Sequence, residues 1–145
     1  MIYYVLGGTM STEWFLQAHE NGEEQYIFVK NITEIFSNYK FKKFDTGIYI
    51  KLLEGTVCIY LDIFEEKISH LMISRPIKSR ELENIIYKIM RLGNFIFFAP
   101  DANYPIILKQ DTEKNLPDGM IESLGKPKIA KNEKEFTNLL NMIYK

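Results

Sequence analysis

TVCIYLDIF, residues 56–64, is the run whose reading decides the fold class. Strand alternation puts Val57, Ile59, Leu61 and Ile63 on one face, and Cys58, Tyr60, Asp62 and Phe64 on the other. Both sets are largely apolar, which predicts a central strand covered by a helix on at least one side. Residues 47–53 precede it across Glu54-Gly55, and residues 68–74 follow it across Glu65-Glu66-Lys67. Three β-prone runs joined by such short links predict an antiparallel sheet.

Pro76 ends that block, and Ser79 opens a helix over residues 79–93. Leu82, Ile85, Ile86, Ile89 and Leu92 fall on one stripe. Glu81 and Glu83 in the first turn, with Lys88 and Arg91 near the end, complement the helix dipole, and Gly93 closes it. Upstream, residues 2–6 read as a strand ending at Gly7-Gly8. Asn21-Gly22 predicts a hairpin between residues 12–20 and 24–30. Residues 31–39 have helical spacing, with Asn31 as cap and Glu34 as its third-position partner.

Downstream, residues 95–99 read as a strand and residues 106–109 pair back on it. A short helix follows over 117–124, stopped by Gly125, then a small strand at 128–130. Asn132 with Glu135 opens a last helix carrying Phe136, Leu139, Leu140 and Ile143. The expected fold is a single α+β domain over residues 1–145. It is a mainly antiparallel sheet with helices packed on one face and a C-terminal helix.

Composition agrees. The chain has 145 residues, 46% of them hydrophobic and 26% charged, with a net charge of −1, which excludes the disordered class. A chain of this length buries enough surface to fold without a disulfide or metal staple. The 14% aromatic content fits an aromatic core better than a stacking surface. No global field favours nucleic acid or an anionic membrane. Cys58, inside an apolar run, reads as a small hydrophobe in a reducing compartment. The opening MIYYVLGG lacks a signal peptide's basic region, and no run is long enough to span a membrane, so the expected location is cytoplasmic.

Residues able to carry chemistry are few. His19 and His70 each stand alone, with no HxxxH, HxH or CxxC spacing, so no metal site is expected. Gly7-Gly8-Thr9 lacks the lysine and the spacing of a phosphate loop and reads as a turn. Asp101, Asn103 and Tyr104 read as a hairpin loop, and Glu65-Glu66 as a solvated hairpin tip. Asp62 interrupts an apolar face and would need a partner such as Tyr60, His70 or an arginine if that face is covered. Met72, Met90, Met120 and Met142 read as core filling. No catalytic set and no cofactor site are expected.

Charge is uneven. Residues 1–39 hold five acids (Glu13, Glu20, Glu23, Glu24 and Glu34) against Lys30, and a basic knot of Lys40, Lys42 and Lys43 follows, read as a solvated face and turn.

The tail PDANYPIILKQDTEKNLPDGMIESLGKPKIAKNEKEFTNLL, with its motif from Leu116 to Gly125, is similar to the ends of small bacterial immunity proteins of polymorphic toxin systems, including those of contact-dependent growth inhibition. The resemblance covers the last third of the chain. It implies a non-catalytic protein that binds and neutralises one cognate toxin domain, for example a basic nuclease. The expected contact patch is Glu13, Trp14, Glu20, Glu23 and Glu24. The alternative is a small-molecule or peptide-binding module with an aromatic-lined cleft. An enzyme would require Asp62, His70 and Glu or Tyr neighbours to converge.

Overall fold

A computed structural model describes residues 5–6, 9–10, 13–100 and 102–143. The Gly7-Gly8 turn and Asp101 lie outside the described residues, as do residues 2–4 of the first expected strand. In chain order the strands are β1 (Val5–Leu6), β2 (Thr9–Met10), β3 (Glu13–Glu20), β4 (Glu23–Glu24) and β5 (Ile27–Phe28). Helix α1 (Val29–Ile35) and a 3-10 turn (Phe36–Asn38) lead to β6 (Lys40–Phe44), β7 (Gly47–Leu52), β8 (Gly55–Leu61), β9 (Lys67–Ile68) and β10 (His70–Ser74). Then come α2 (Arg80–Met90), β11 (Phe95–Phe98), β12 (Ile106–Ile107), α3 (Gln110–Lys114), α4 (Met120–Leu124), β13 (Lys128–Ile129) and α5 (Glu133–Ile143).

The main sheet runs β13-β12-β11-β3-β10-β8-β7-β6, with β4 hairpinned onto β3, and every pair is antiparallel except β12 with β13. Two small ribbons, β1-β2 and β5-β9, stand beside it. The α+β reading holds, and β8 is an interior strand as its two apolar faces require. Val57, Ile59 and Leu61 are buried with Ile48 and Ile50 of β7, Leu71 and Ile73 of β10, and Trp14, Leu16 and Ala18 of β3. Against them pack Ile32 of α1, Leu82, Ile85, Ile86 and Ile89 of α2, and Phe136 and Leu140 of α5. Helix α4 departs from the one-face expectation. With Leu116 it covers Ile96, Phe98 and Ile107 on the other face, at the β11–β12 end only.

The two long helices begin where their caps predict. Ser79 Oγ accepts from the Leu82 N–H at 3.1 Å, and Asn132 Oδ1 accepts from the Glu135 N–H at 2.9 Å. Both contacts satisfy first-turn donors that have no partner inside the helix. At its far end α2 stops at Met90, and Leu92 falls outside the helix and is exposed. Glu83, in the first turn of α2, is buried and pairs with Lys78 at 3.5 Å.

Several expectations are corrected. The Asn21-Gly22 hairpin forms, with both residues in the left-handed region, but it pairs only His19 with Glu24 and Glu20 with Glu23. Beyond that, the Gln25 side chain accepts from the Asn94 N–H at 2.6 Å, and Ile27–Phe28 pairs with β9 instead of β3. Asn31 is not a cap: α1 starts at Val29, whose N–H donates to the Glu66 carbonyl. The basic knot at Lys40, Lys42 and Lys43 is the exposed edge strand β6, a solvated sheet face rather than a turn. Lysines on an exposed edge oppose pairing with another chain, so a lysine-rich run suits that position. Met90 is core filling, whereas Met72 lies on the open sheet face and Met142 is exposed.

Gly47 is the tightest position in the sheet. A Cβ there would meet the Ile59 carbonyl oxygen, and the Phe44 ring at 2.8 Å. The absence of a side chain lets β7 lie close to β8 while Phe44 folds over both.

Candidate functional site: the open sheet face and its acidic end

Alternation that buries one face of β3, β10, β8 and β7 leaves the other uncovered. Register arranges its side chains in rows across the strands. Gln17, His70 and Asp62 form one row: His70 opposes Gln17 directly, and Asp62 follows the Leu71–Leu61 pair. Phe15, Met72 and Tyr60 form the next, and Ser74, Cys58 and Tyr49 the third. The middle of the face is an aromatic band. Phe15 stacks on Phe98 at 5.3 Å, and the Phe44 ring lies 4.8 Å from Tyr49 and 5.9 Å from Tyr60.

A groove of about 570 Å³ opens over the first two rows. Phe15, Tyr60 and Met72 line its floor, and Gln17, His19, Glu24, Asp62, Ser69 and His70 its polar wall. A recess of that size with an apolar floor and a few converging polar groups has the form of a binding site.

The polar wall is a connected set. Ser69, only 4% exposed, donates its hydroxyl to Glu24 Oε1 at 2.6 Å. Tyr26 donates to the other oxygen of the same carboxylate at 3.1 Å. These two hydroxyls, Ser69 first, hold the Glu24 pKa below its ordinary value. Tyr26 responds in the opposite direction, its pKa raised because the phenolate would face Glu24. His70 stands between two carboxylates, with Nδ1 4.0 Å from Glu24 Oε1 and Nε2 3.5 Å from Asp62 Oδ2. Its Nδ1 also lies 3.3 Å from Ser69 Oγ. Asp62 is thus on an open face, its side chain 75% exposed, and its partner is His70, one of those expected for it.

His19 lies deeper. Its Nε2 is 3.2 Å from Gln17 Oε1, while Nδ1 makes no hydrogen bond. Burial lowers its pKa, and the Glu23 carbonyl and Glu24 carboxylate pull weakly the other way.

Asp62, His70, Glu24 and Tyr26 therefore do converge, as an enzyme would require. The hydroxyl among them is poorly placed for attack: Ser69 is buried and its proton is engaged by Glu24. Among the described residues no group of three or more His, Cys, Asp or Glu side chains is arranged to hold a metal ion.

The expected contact patch is divided by the fold. Glu20, Glu23 and Glu24 sit together on the β3–β4 hairpin. Glu13 lies at the other end of β3, opposite Ser74 and roughly 20 Å away for a strand of this length. Trp14 is 7% exposed and points into the core, its ring edge-on to Phe97 at 5.4 Å, so it is off the surface. Sequence reasoning did not see what joins the three glutamates. Asp62, Glu65 and Glu66 come to the same end of the sheet through the β8–β9 turn. Exposed Tyr26, Phe28, Ile63 and Phe64 are chain neighbours of these acids, Phe64 at 66%, and Lys67 Nζ lies 5.1 Å over the Phe28 ring. Glu65 and Glu66 form a two-residue loop, closed by paired Phe64–Lys67 backbone bonds, with φ of 52° and 64°.

Comparison with protein-family models, with curated proteins and with solved structures returned no match. No described helix is long and apolar enough to cross a membrane.

Proposed function

We propose that this chain is a non-catalytic, immunity-type protein that docks and neutralises a basic toxin domain in the cytoplasm. The observation that carries this is the acidic end of the sheet. There Tyr26, Phe28, Ile63 and Phe64 are exposed on the segments that also carry Glu20, Glu23, Glu24, Asp62, Glu65 and Glu66, with Lys67 over the Phe28 ring. Exposed aromatic side chains grouped together are costly on a free surface and supply anchor residues at an interface. Acids around them steer a basic partner and exclude others. The partner class, a secreted nuclease-type domain, is part of the proposal.

The test is co-expression with any candidate toxin domain found encoded beside this chain, together with the affinity of the purified pair. Growth rescue and tight binding are expected. Phe64→Ala should weaken binding by roughly 30-fold, a loss of about 2 kcal/mol at an anchor. Glu65→Lys with Glu66→Lys should slow association most at low salt. A gene neighbourhood of metabolic enzymes, or rescue untouched by all three substitutions, would refute the proposal.

The groove itself favours a second reading, a small-molecule or peptide-binding module, because its aromatic floor and polar wall meet the ordinary description of a ligand site. Thermal stabilisation by a small metabolite, with no protein partner, would favour that reading.

A further inference from the structure

The structure points to a specific occupant for the groove: we infer that it is a subsite for an arginine side chain presented by a protein partner. This rests on reading the face as a docking surface and adds the chemistry of the contact. The floor of Phe15, Met72 and Tyr60 forms one continuous row across β3, β10 and β8, suited to the apolar stem and flat face of a long side chain. At its acidic end, Glu24 and Asp62 address opposite nitrogens of His70, so the imidazole lies between two carboxylates.

Among the described residues lining the groove, none is Lys or Arg, and Glu24 and Asp62 are its fixed charges. Asp62 is exposed and meets only the long 3.5 Å contact with His70, so its oxygens are open to a better donor. A guanidinium fits this arrangement better than an ammonium. It is planar and stacks on Tyr60 or on the His70 ring, and its fixed fork of donors engages both oxygens of Asp62, while Glu24, held by Ser69 and Tyr26 on the far side of His70, adds its charge. An anion would meet both carboxylates, and a wholly apolar group would bury Asp62 with only its long His70 contact.

The probe is N-acetyl-arginine methylamide, titrated into the intact protein at neutral pH, with its lysine and citrulline counterparts in parallel. Backbone and ring signals of Tyr60, Met72 and His70 are followed by NMR. The arginine compound should shift them saturably with an affinity of about 1 mM, the scale for so few atoms. The lysine compound should bind more weakly, and citrulline, which keeps the shape but loses the charge, should bind at least tenfold more weakly. Asp62→Asn, at an exposed position with no role in the core, should reduce arginine binding at least fivefold. Equal shifts from citrulline, no saturable shift at these three residues, or an unchanged affinity in Asp62→Asn would each overturn the inference.

Those results leave the docking proposal standing, because it is scored separately by toxin binding to the Phe64 and Glu65-Glu66 variants. Conversely, arginine binding in the groove of a protein whose toxin affinity ignores those variants keeps the arginine subsite and moves the docking surface away from the Phe64 tip.

Discussion

Ser69 is the residue through which distant pieces of the acidic end are tied. Its hydroxyl crosses from the β9–β10 junction to Glu24 on the first hairpin, so one hydrogen bond fixes the groove wall. Ser69→Ala should return the Glu24 pKa toward its ordinary 4.5 and lower stability by less than about 1 kcal/mol, since the carboxylate is largely exposed. That loss is fully present above pH 4.5, where the unfolded carboxylate is charged, and disappears as pH falls through the lowered folded value. His19 acts over a higher window. Its folded pKa lies below 6.5, so the unfolded chain takes up the proton first, and stability declines as pH drops from 6.5 toward the folded value. Denaturant melts from pH 7 to pH 3 should show both losses in wild type and a smaller lower one in Ser69→Ala, where Tyr26 still donates to Glu24. Carboxyl-carbon NMR of Glu24 supplies the direct check. A wild-type melt unchanged between pH 7 and pH 5 would contradict the His19 assignment.

At the scale of elements, the β8–β9 turn is where local preference and structure disagree. A two-residue hairpin with positive φ at both positions is the geometry of Asn-Gly, and Asn21-Gly22 uses it as expected. Glu65-Glu66 occupies the same geometry with side chains that disfavour it. Replacing the pair by Asn-Gly should stabilise the fold by about 1 kcal/mol, read as a rise of several degrees in Tm. The same change should weaken toxin binding, because it removes two of the acids proposed to attract the partner. A stabilised variant with undiminished binding would exclude that tip from the interface.

Sequence legibility follows the same line between local and distant causes. Helices α2 and α5 were readable because caps and apolar stripes are written within one turn or two. Strand β6 was not, because lysine on an edge strand resembles lysine in a turn. In the candidate site, Glu20, Glu23 and Glu24 were visible as a charge cluster, and Asp62 as an interruption in an apolar run. Glu13 and Trp14 were grouped with them by proximity in the chain, which strand alternation and strand length then undo. The Glu24–Ser69 contact joins residues on separate elements, and no local pattern marks it.

In the whole molecule, β3 holds the sheet together: it pairs with β10 on one side and β11 on the other. Leu16, fully buried in that strand, faces Leu71 and Phe97 across its two neighbours. Leu16→Ala should therefore cost about 2–5 kcal/mol in equilibrium unfolding, as for a core position with little room to collapse. A cost under 1 kcal/mol would mean that the two halves of the sheet are stabilised independently.

The placement of β3 also has a consequence during protein synthesis. Its partners on both sides leave the ribosome long after it does, the last of them at Phe98. At about 5–20 residues per second, the buried residues of β3 beyond its short β4 hairpin wait on the order of ten seconds for both flanking strands. Chaperone binding at residues 13–20 of the nascent chain is expected over that interval, and ribosome profiling of a nascent-chain chaperone should show it declining once residue 98 emerges.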